Sequence, residues 1–129
     1  MKMDDVLKDL TLDYLGKGKY KTTPEDFLKV NDGCLLDVRT QEEASAISIN
    51  MEHLPNIQCK NIPVNEIPER YSEIPKGKSI AVFCPANVRA SMAYLYLRTK
   101  GYTNIRIMLG GYAALTDAVK PGKILKALA

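Results

Sequence analysis

Residues 79–89 read SIAVFCPANVR, and this stretch decides the fold class. Residues 79–83 form a short apolar run after a turn at residues 75–78, which predicts a strand buried on both faces. Cys84 follows the run directly, and a six-residue loop, 84–89, leads into a segment whose apolar side chains recur at helical spacing. The stretch therefore predicts one strand, one loop and one helix in that order.

Two more strand–helix pairs flank this unit. The apolar run 34–38 (CLLDV) predicts a buried strand and residues 105–108 (IRIM) predict a third strand. A helix is expected after each, from Thr40 and over residues 112–119. Strands that alternate with helices are typical of a parallel sheet covered on both faces. The chain is therefore predicted to be an α/β protein.

The middle and the ends of the chain complete this prediction. Residues 47–61 have no clean period and are predicted to be a loop, and residues 19–22 a short extended segment. Further helices are expected over residues 3–15, 23–30, 65–73 and 123–128. We expect an N-terminal helical extension, residues 1–18, followed by one domain, residues 19–129.

Composition excludes several classes of protein. The chain has 129 residues, 46% of them hydrophobic and 26% charged, as expected for a folded domain with a core of its own. A net charge of +3 is too small to favour nucleic acid as a partner. No apolar run approaches the roughly 20 residues that span a bilayer, and aspartates within the first ten residues argue against a signal peptide. No membrane or nucleic-acid partner is therefore expected.

The three cysteines, Cys34, Cys59 and Cys84, form no CxxC pair. This number and spacing disfavour a disulfide framework and a zinc site, and they favour a reducing cytoplasm. Cys34 is expected to pack within its strand. His53 is the only histidine, which excludes a histidine-rich metal site, and we expect it to have a surface or structural role rather than a catalytic one.

Cys84 occupies the position where such folds carry their chemistry. Sites in open α/β sheets lie beyond the carboxyl ends of the strands, beside the N-termini of helices. The free N–H groups and the dipole of the following helix, together with the charge of Arg89, favour a thiolate at Cys84. The same residue could instead be an inert apolar end to its strand. The order strand, Cys84, loop, Arg89, helix favours a nucleophile.

Four segments together resemble rhodanese-like domains. Residues 35–43 (LLDVRTQEE) are similar to the family's DVR-x-x-E-E/F segment, and residues 80–89 to its strand and active-site loop, with Cys and Arg five apart. Residues 109–115 (LGGYAAL) resemble the GG-x-x-A-W element, and residues 61–63 the N-I-P before a polar helix. The four segments follow the family's order and spacing, over roughly residues 20–118.

The resemblance implies a three-layer α/β/α rhodanese-like fold around a five-stranded parallel sheet. It also implies a sulfurtransferase, in which Cys84 takes up a sulfane sulfur as a persulfide and passes it to a nucleophilic acceptor. Amides from Ala86 to Arg89 would then surround the sulfur. The implied active-site loop consists of Pro85, Ala86, Asn87, Val88 and Arg89. No cofactor and no metal is implied, because the protein itself carries the sulfur.

Departures from the family pattern affect the choice of substrate more than the fold. Pro85 removes an N–H and a place for a basic residue directly after Cys84, and Asn87 stands where many members have glycine. Asn tolerates the left-handed conformation better than other non-glycine residues, so the loop is expected to close. A loop with Arg89 as its only cation favours a persulfide donor over thiosulfate, with a thiol or a protein as the acceptor.

Three other residues have two interpretations each. Asp37 and Arg39 lie at the end of the strand at residues 34–38. They either help to set the shape and the electrostatic field of the active-site loop, or they form a structural ion pair and a helix cap. Cys59 is either a bystander or a thiol that resolves the persulfide of Cys84.

Three functions remain open on these residues. The first is a single-domain sulfurtransferase, a monomer or a weak homo-oligomer in the cytoplasm. The second is a rhodanese-like module that binds partners or senses redox state through Cys84. The third is a cysteine phosphatase of the same fold. Those phosphatases have Arg six residues after Cys, whereas Arg89 lies five after Cys84, and the shorter loop fits a single sulfur atom better.

Overall fold

Five strands form the centre of the protein, which is described by a computed structural model of residues 1–129. The strands are β1 (Lys21–Thr22), β2 (Gly33–Asp37), β3 (Ile57–Asn61), β4 (Ser79–Phe83) and β5 (Ile105–Met108). Their order across the sheet is β1-β5-β4-β2-β3, and every neighbouring pair is parallel. The predicted α/β class and the implied five-stranded parallel sheet are confirmed.

Eight helices surround the sheet, and the longest has 12 residues. They are α1 (Met3–Lys8), α2 (Leu12–Lys17), α3 (Pro24–Phe27), α4 (Gln41–Ala46), α5 (Ile67–Arg70), α6 (Val88–Thr99), α7 (Gly111–Ala118) and α8 (Pro121–Leu128). Two 3₁₀ turns, Val64–Glu66 and Tyr71–Glu73, flank α5. None of the helices combines the length and the apolar character needed to cross a membrane.

The helices cover both faces of the sheet and create two separate cores. On one face, α5 and α6 cover a cluster that includes Leu36, Val82 and Tyr94. On the other face, α3 and α7 cover a cluster that includes Leu35 and Phe83. Neighbouring residues of β2 and β4 therefore point into different cores, which explains why residues 34–36 and 80–83 are all apolar.

The prediction of a loop over residues 47–61 is wrong at its end, because β3 occupies the last five of them. β3 is an edge strand that pairs with β2 alone. Gln58 is exposed and Lys60 is half-buried, so the strand lacks the continuous apolar run of a central strand. Because its residues have mixed polarity, β3 shows no hydrophobic period from which a strand could be predicted.

Three predicted helices are shorter than expected or broken. The helix expected over residues 3–15 is divided into α1 and α2, because the side chain of Thr11 accepts a backbone N–H and caps a new helix. α3 ends at Phe27, three residues early. Pro68 lies at the start of the four-residue helix α5, and the rest of the region 65–73 forms 3₁₀ turns. The order of the elements is nevertheless as predicted.

The N-terminal helices pack on α6. Val6 is fully buried, and the hydroxyl groups of Tyr14 and Tyr94 lie 2.5 Å apart. Arg98 of α6 donates hydrogen bonds to both hydroxyls and to the carboxylate of Asp9. The N-terminal extension is thus anchored on the helix that follows the candidate active-site loop.

Candidate active site

Cys84 lies at the carboxyl end of β4, and α6 begins four residues later, so the last two residues of the predicted loop, Val88 and Arg89, form the first turn of the helix. The residue is almost fully buried, with 1% of its surface exposed. The N–H of Ala90 donates to its Sγ atom over an N···S distance of 3.2 Å. Ala90 is the third residue of α6, so Sγ occupies the place that a capping oxygen has at other helices. The sulfur therefore lies at the positive end of the longest helix.

The amide that reaches the sulfur lies one residue beyond the predicted set. The sequence predicted that amides from Ala86 to Arg89 surround the sulfur, but the N–H that donates to Sγ belongs to Ala90. The amides of residues 86–89 are expected to surround the outer sulfur of a Cys84 persulfide. That role stays a prediction.

Asn87 turns the chain from the loop into α6. Its φ of 68° makes it the one non-glycine residue in the left-handed region, as expected at a position where glycine is common in the resembled family. Its side chain does not cap α6, and the N–H of Ala90 instead donates a hydrogen bond to Sγ of Cys84. The Oδ1 atom of Asn87 is buried and has no hydrogen-bond donor.

The start of α7 supports the loop from behind. Gly110 and Gly111 both have positive φ values, 95° and 56°. The backbone of Gly111 approaches the carbonyl group of Pro85 so closely that no side chain fits between them. The glycine pair of the 109–115 motif therefore allows α7 to pack directly against the loop.

Asp37 and Arg39 form a buried ion pair beside the carboxyl end of β4. Arg39 donates through Nε and Nη2 to the two carboxylate oxygens of Asp37, at 2.9 and 2.7 Å. Its Nη1 donates to the carbonyl oxygen of Glu43 and to the hydroxyl of Tyr112. The hydrogen bonds to Asp37, with a smaller contribution from that to Tyr112, raise the pKa of Arg39 above its usual value. Through Arg39, the pair connects α4 and α7 to the end of β2. This arrangement agrees with the interpretation of Asp37 and Arg39 as a structural ion pair.

Arg89 is paired with a carboxylate of the protein itself. Its Nη1 and Nη2 donate to Oε1 and Oε2 of Glu43, at 2.6 and 2.9 Å. The hydrogen bonds to Glu43 raise the pKa of Arg89. The charge of Arg89, the only cation of the predicted loop, is therefore compensated by Glu43 of α4.

The other two cysteines lie away from Cys84 in the sheet. Burial raises the pKa of Cys34 to about 11 and also raises that of Cys59. Cys59 lies two strands away from β4, opposite Ala81, which is three residues before Cys84. The strand spacing and the rise per residue then give about 14 Å between the Cα atoms of Cys59 and Cys84. Cys59 is thus too distant to resolve a persulfide in this conformation. His53 is exposed, as predicted, and no three His, Cys, Asp or Glu side chains are grouped to hold a metal ion.

Sequence reasoning did not identify Ala90, Glu43 or Tyr112 as residues of the site. Glu43 and Tyr112 lie within the motif segments 35–43 and 109–115, so a signal was present in the sequence. Ala90 carries no such signal, because it contributes a backbone N–H rather than a side chain.

Comparison with known proteins identifies the class of the domain. The family model of the rhodanese-like domain matches residues 23–118. A sulfurtransferase of Allochromatium vinosum is 32% identical over 83 residues, covering 64% of this chain and 71% of that protein. The crystal structure of a rhodanese-related protein from Thermoplasma volcanium has a TM-score of 0.62 at 26% identity, covering 78% of this chain and 94% of that one. The chain belongs to the family of rhodanese-like domains.

Some relatives are much longer proteins. A tRNA sulfurtransferase of Shewanella halifaxensis is 26% identical over 87 residues, which cover 67% of this chain and 17% of that protein. The chain therefore spans about one-sixth of the length of that relative. The similarity concerns one segment of a longer enzyme.

Proposed function

We propose that this protein is a sulfurtransferase that moves a sulfane sulfur from a donor to a thiophilic acceptor through a persulfide on Cys84. The observation that carries the proposal is the position of the Cys84 sulfur at the N-terminus of α6, where it accepts the N–H of Ala90. Such a position stabilises a negatively charged sulfur. Relatives named sulfurtransferase support the same class of reaction.

The reaction consists of two displacements at sulfur. In the first, the Cys84 thiolate attacks the outer sulfur of a donor persulfide, R–S–SH. The Sγ–S bond forms, the S–S bond of the donor breaks, and the donor leaves as the thiolate R–S⁻. In the second, the acceptor thiolate attacks the outer sulfur, and Cys84 leaves as a thiolate. One sulfur atom is transferred without net oxidation or reduction, so the cycle consumes no redox cofactor.

The surroundings of Cys84 have separate tasks in this cycle. The N–H of Ala90 stabilises the charge on Sγ when Cys84 is the nucleophile and again when it is the leaving group. Residues 85–89 are proposed to surround the outer sulfur, with the amides of Ala86 to Arg89 facing it. Gly111 allows α7 to hold this loop in position.

We expect a thiol persulfide to be the preferred donor. Thiosulfate carries two negative charges that must leave water at the mouth of the loop, which is costly unless new donors replace the hydration. Pro85 has no N–H, and Ala86 adds no charge. The acceptor is a small thiol or a thiol of a partner protein, and the cytoplasmic location and the oligomeric state stay predictions.

Intact mass after incubation with a sulfane-sulfur donor tests the proposal. The wild-type protein should gain the mass of one sulfur atom, and Cys84→Ser should gain none. Cys34→Ser is the matched control, because it removes a buried thiol from the neighbouring strand, and it should still take up the sulfur. If the protein is an enzyme, the persulfide must then transfer this sulfur to an added thiol.

Two other outcomes would favour the alternatives. Sulfur uptake without transfer to any thiol, together with reversible oxidation of Cys84, would favour a redox-sensing module. Release of phosphate from an aryl phosphate would favour the phosphatase.

A further inference from the structure

A single ion pair joins the Cys84 loop to α4. The guanidinium of Arg89 donates to both carboxylate oxygens of Glu43, at 2.6 and 2.9 Å. This two-pronged arrangement is the strongest geometry for such a pair. The side chains of Arg89 and Glu43 are 32% and 33% exposed, so the pair is partly shielded from water.

Glu43 is fixed in place by further contacts. Its Oε1 also accepts the N–H and the hydroxyl of Thr40, at 3.0 Å each, and closes a capping box at the start of α4. Its carbonyl oxygen accepts a hydrogen bond from Arg39. The hydrogen bonds from Arg89, followed by that from the backbone of Thr40, lower the pKa of Glu43 to about 2. Glu43 therefore presents a preset negative charge to Arg89 at neutral pH.

The pair leaves the loop without an uncompensated cation. Residues 85–88 are uncharged, and the buried Oδ1 of Asn87 adds the negative end of an amide dipole. The other guanidinium of the site, that of Arg39, is paired with Asp37. A donor with two negative charges thus meets no free positive charge that could replace its hydration.

We infer that Glu43 is a positioning residue that determines donor specificity. It holds the guanidinium of Arg89 away from the donor and so restricts the site to donors with at most one negative charge near the transferred sulfur. This inference rests on the proposed sulfurtransferase function. A thiol persulfide meets the restriction, whereas thiosulfate does not. If Glu43 merely anchored the loop, its loss would impair transfer from every donor equally.

Glu43→Gln distinguishes the two roles. Glutamine keeps the size of the side chain, but it leaves the charge of Arg89 uncompensated and available to an anion. We expect kcat/KM for thiosulfate to rise about tenfold relative to that for glutathione persulfide, mainly through a lower KM. The rise should shrink at high salt, because a partly exposed charge is screened.

Three further variants control the comparison. Glu42→Gln removes an exposed carboxylate from the same helical turn, and it should leave the ratio of the two donors unchanged. Glu43→Asp shortens the side chain by one methylene and should give a smaller rise in the ratio of kcat/KM for thiosulfate to that for glutathione persulfide. This variant also tests the inference if Glu43→Gln does not fold. The double variant Glu43→Gln with Arg89→Gln has no charge on either side and should return the ratio to that of the wild type.

The outcomes separate the inference from the proposed function. Equal slowing of both donors in Glu43→Gln, an unchanged ratio in Glu43→Gln and Glu43→Asp, or an equal rise in Glu42→Gln would each overturn the inference. All three outcomes require that the wild type transfers sulfur, so they leave the proposed function intact. A wild-type protein that forms no Cys84 persulfide with either donor would overturn the proposed function and the inference together.

Discussion

A Cβ atom on Gly111 would lie 2.2 Å from the carbonyl oxygen of Pro85. The first residue of α7 therefore touches the backbone of the loop that carries Cys84. Both this distance and a φ of 56° exclude a side chain at position 111 without strain. The loop is thus held by β4 before it, α6 after it and α7 behind it.

Replacing Gly111 with alanine should displace the loop. The added methyl group collides with backbone, which cannot rotate away as a flexible side chain can. We expect Gly111→Ala to lower the free energy of unfolding by about 1–3 kcal/mol and to slow persulfide formation on Cys84. Urea unfolding and intact mass after donor treatment measure the two effects.

The matched control is Gly122→Ala, near the start of α8, where an added Cβ meets nothing within 4 Å. This variant should form the persulfide at the wild-type rate, and alanine in the helix should not reduce stability. Equal rates of persulfide formation in Gly111→Ala and Gly122→Ala would show that contact with α7 does not position the loop.

Much of the fold was predictable because the central strands are buried on both faces. β2 and β4 lie between two cores and are mostly apolar, and β5 is apolar except for the exposed Arg106, so a short window of sequence shows each of these strands directly. β3 is different, because an edge strand keeps polar side chains at Gln58 and Lys60. Its existence depends on pairing with β2, which is a long-range contact and leaves no local signal.

The site shows the same division between local and long-range information. The left-handed conformation of Asn87 and the position of Cys84 before a helix follow from neighbouring residues. The pairing of Arg89 with Glu43 joins residues 46 positions apart, and the approach of Gly111 to Pro85 joins the start of α7 to the loop after β4. Motif resemblance placed Pro85 and Arg89 in the site, but it did not identify Glu43 or Gly111 as their partners.

Cys84 should be the first of the three cysteines to react with iodoacetamide near neutral pH. Its sulfur accepts a hydrogen bond at the positive end of α6, whereas burial raises the pKa of Cys34 to about 11 and raises that of Cys59. Since the thiolate is the reacting form, labelling of Cys34 should be slower than that of Cys84 and should accelerate as the pH rises. Peptide mapping after partial alkylation measures the order, and earlier labelling of Cys34 or Cys59 would contradict the site assignment.

Asp37→Asn should destabilise the fold strongly. The substitution leaves the fully buried guanidinium of Arg39 without its carboxylate partner, and breaking a buried pair in this way costs about 3–5 kcal/mol. Asp13→Asn is the control, because Asp13 and Lys17 form an exposed pair on the N-terminal extension and such pairs contribute little. Denaturant unfolding of both variants measures the difference. A similar midpoint for both would mean that the buried pair is dispensable.

Pro85→Arg should shift the choice of donor toward thiosulfate. Position 85 directly follows Cys84, and proline supplies neither charge nor N–H there. The only cation of the loop, Arg89, is already paired with Glu43. An arginine at position 85 would therefore be the first uncompensated positive charge beside the sulfur. If it makes one charge-assisted contact with thiosulfate, kcat/KM for thiosulfate should rise about tenfold.

The measurement is steady-state transfer from thiosulfate and from glutathione persulfide, in the wild type and in Pro85→Arg. Pro85→Ala is the matched control, because it restores the N–H without adding charge, and it should produce less of the shift. The persulfide should gain less than thiosulfate from the new arginine, because it brings at most one charge to the sulfur. A wild type that already prefers thiosulfate, or a substitution that accelerates both donors equally, would refute the argument from charge. An equal effect of alanine and arginine would instead assign the preference to the missing N–H of Pro85.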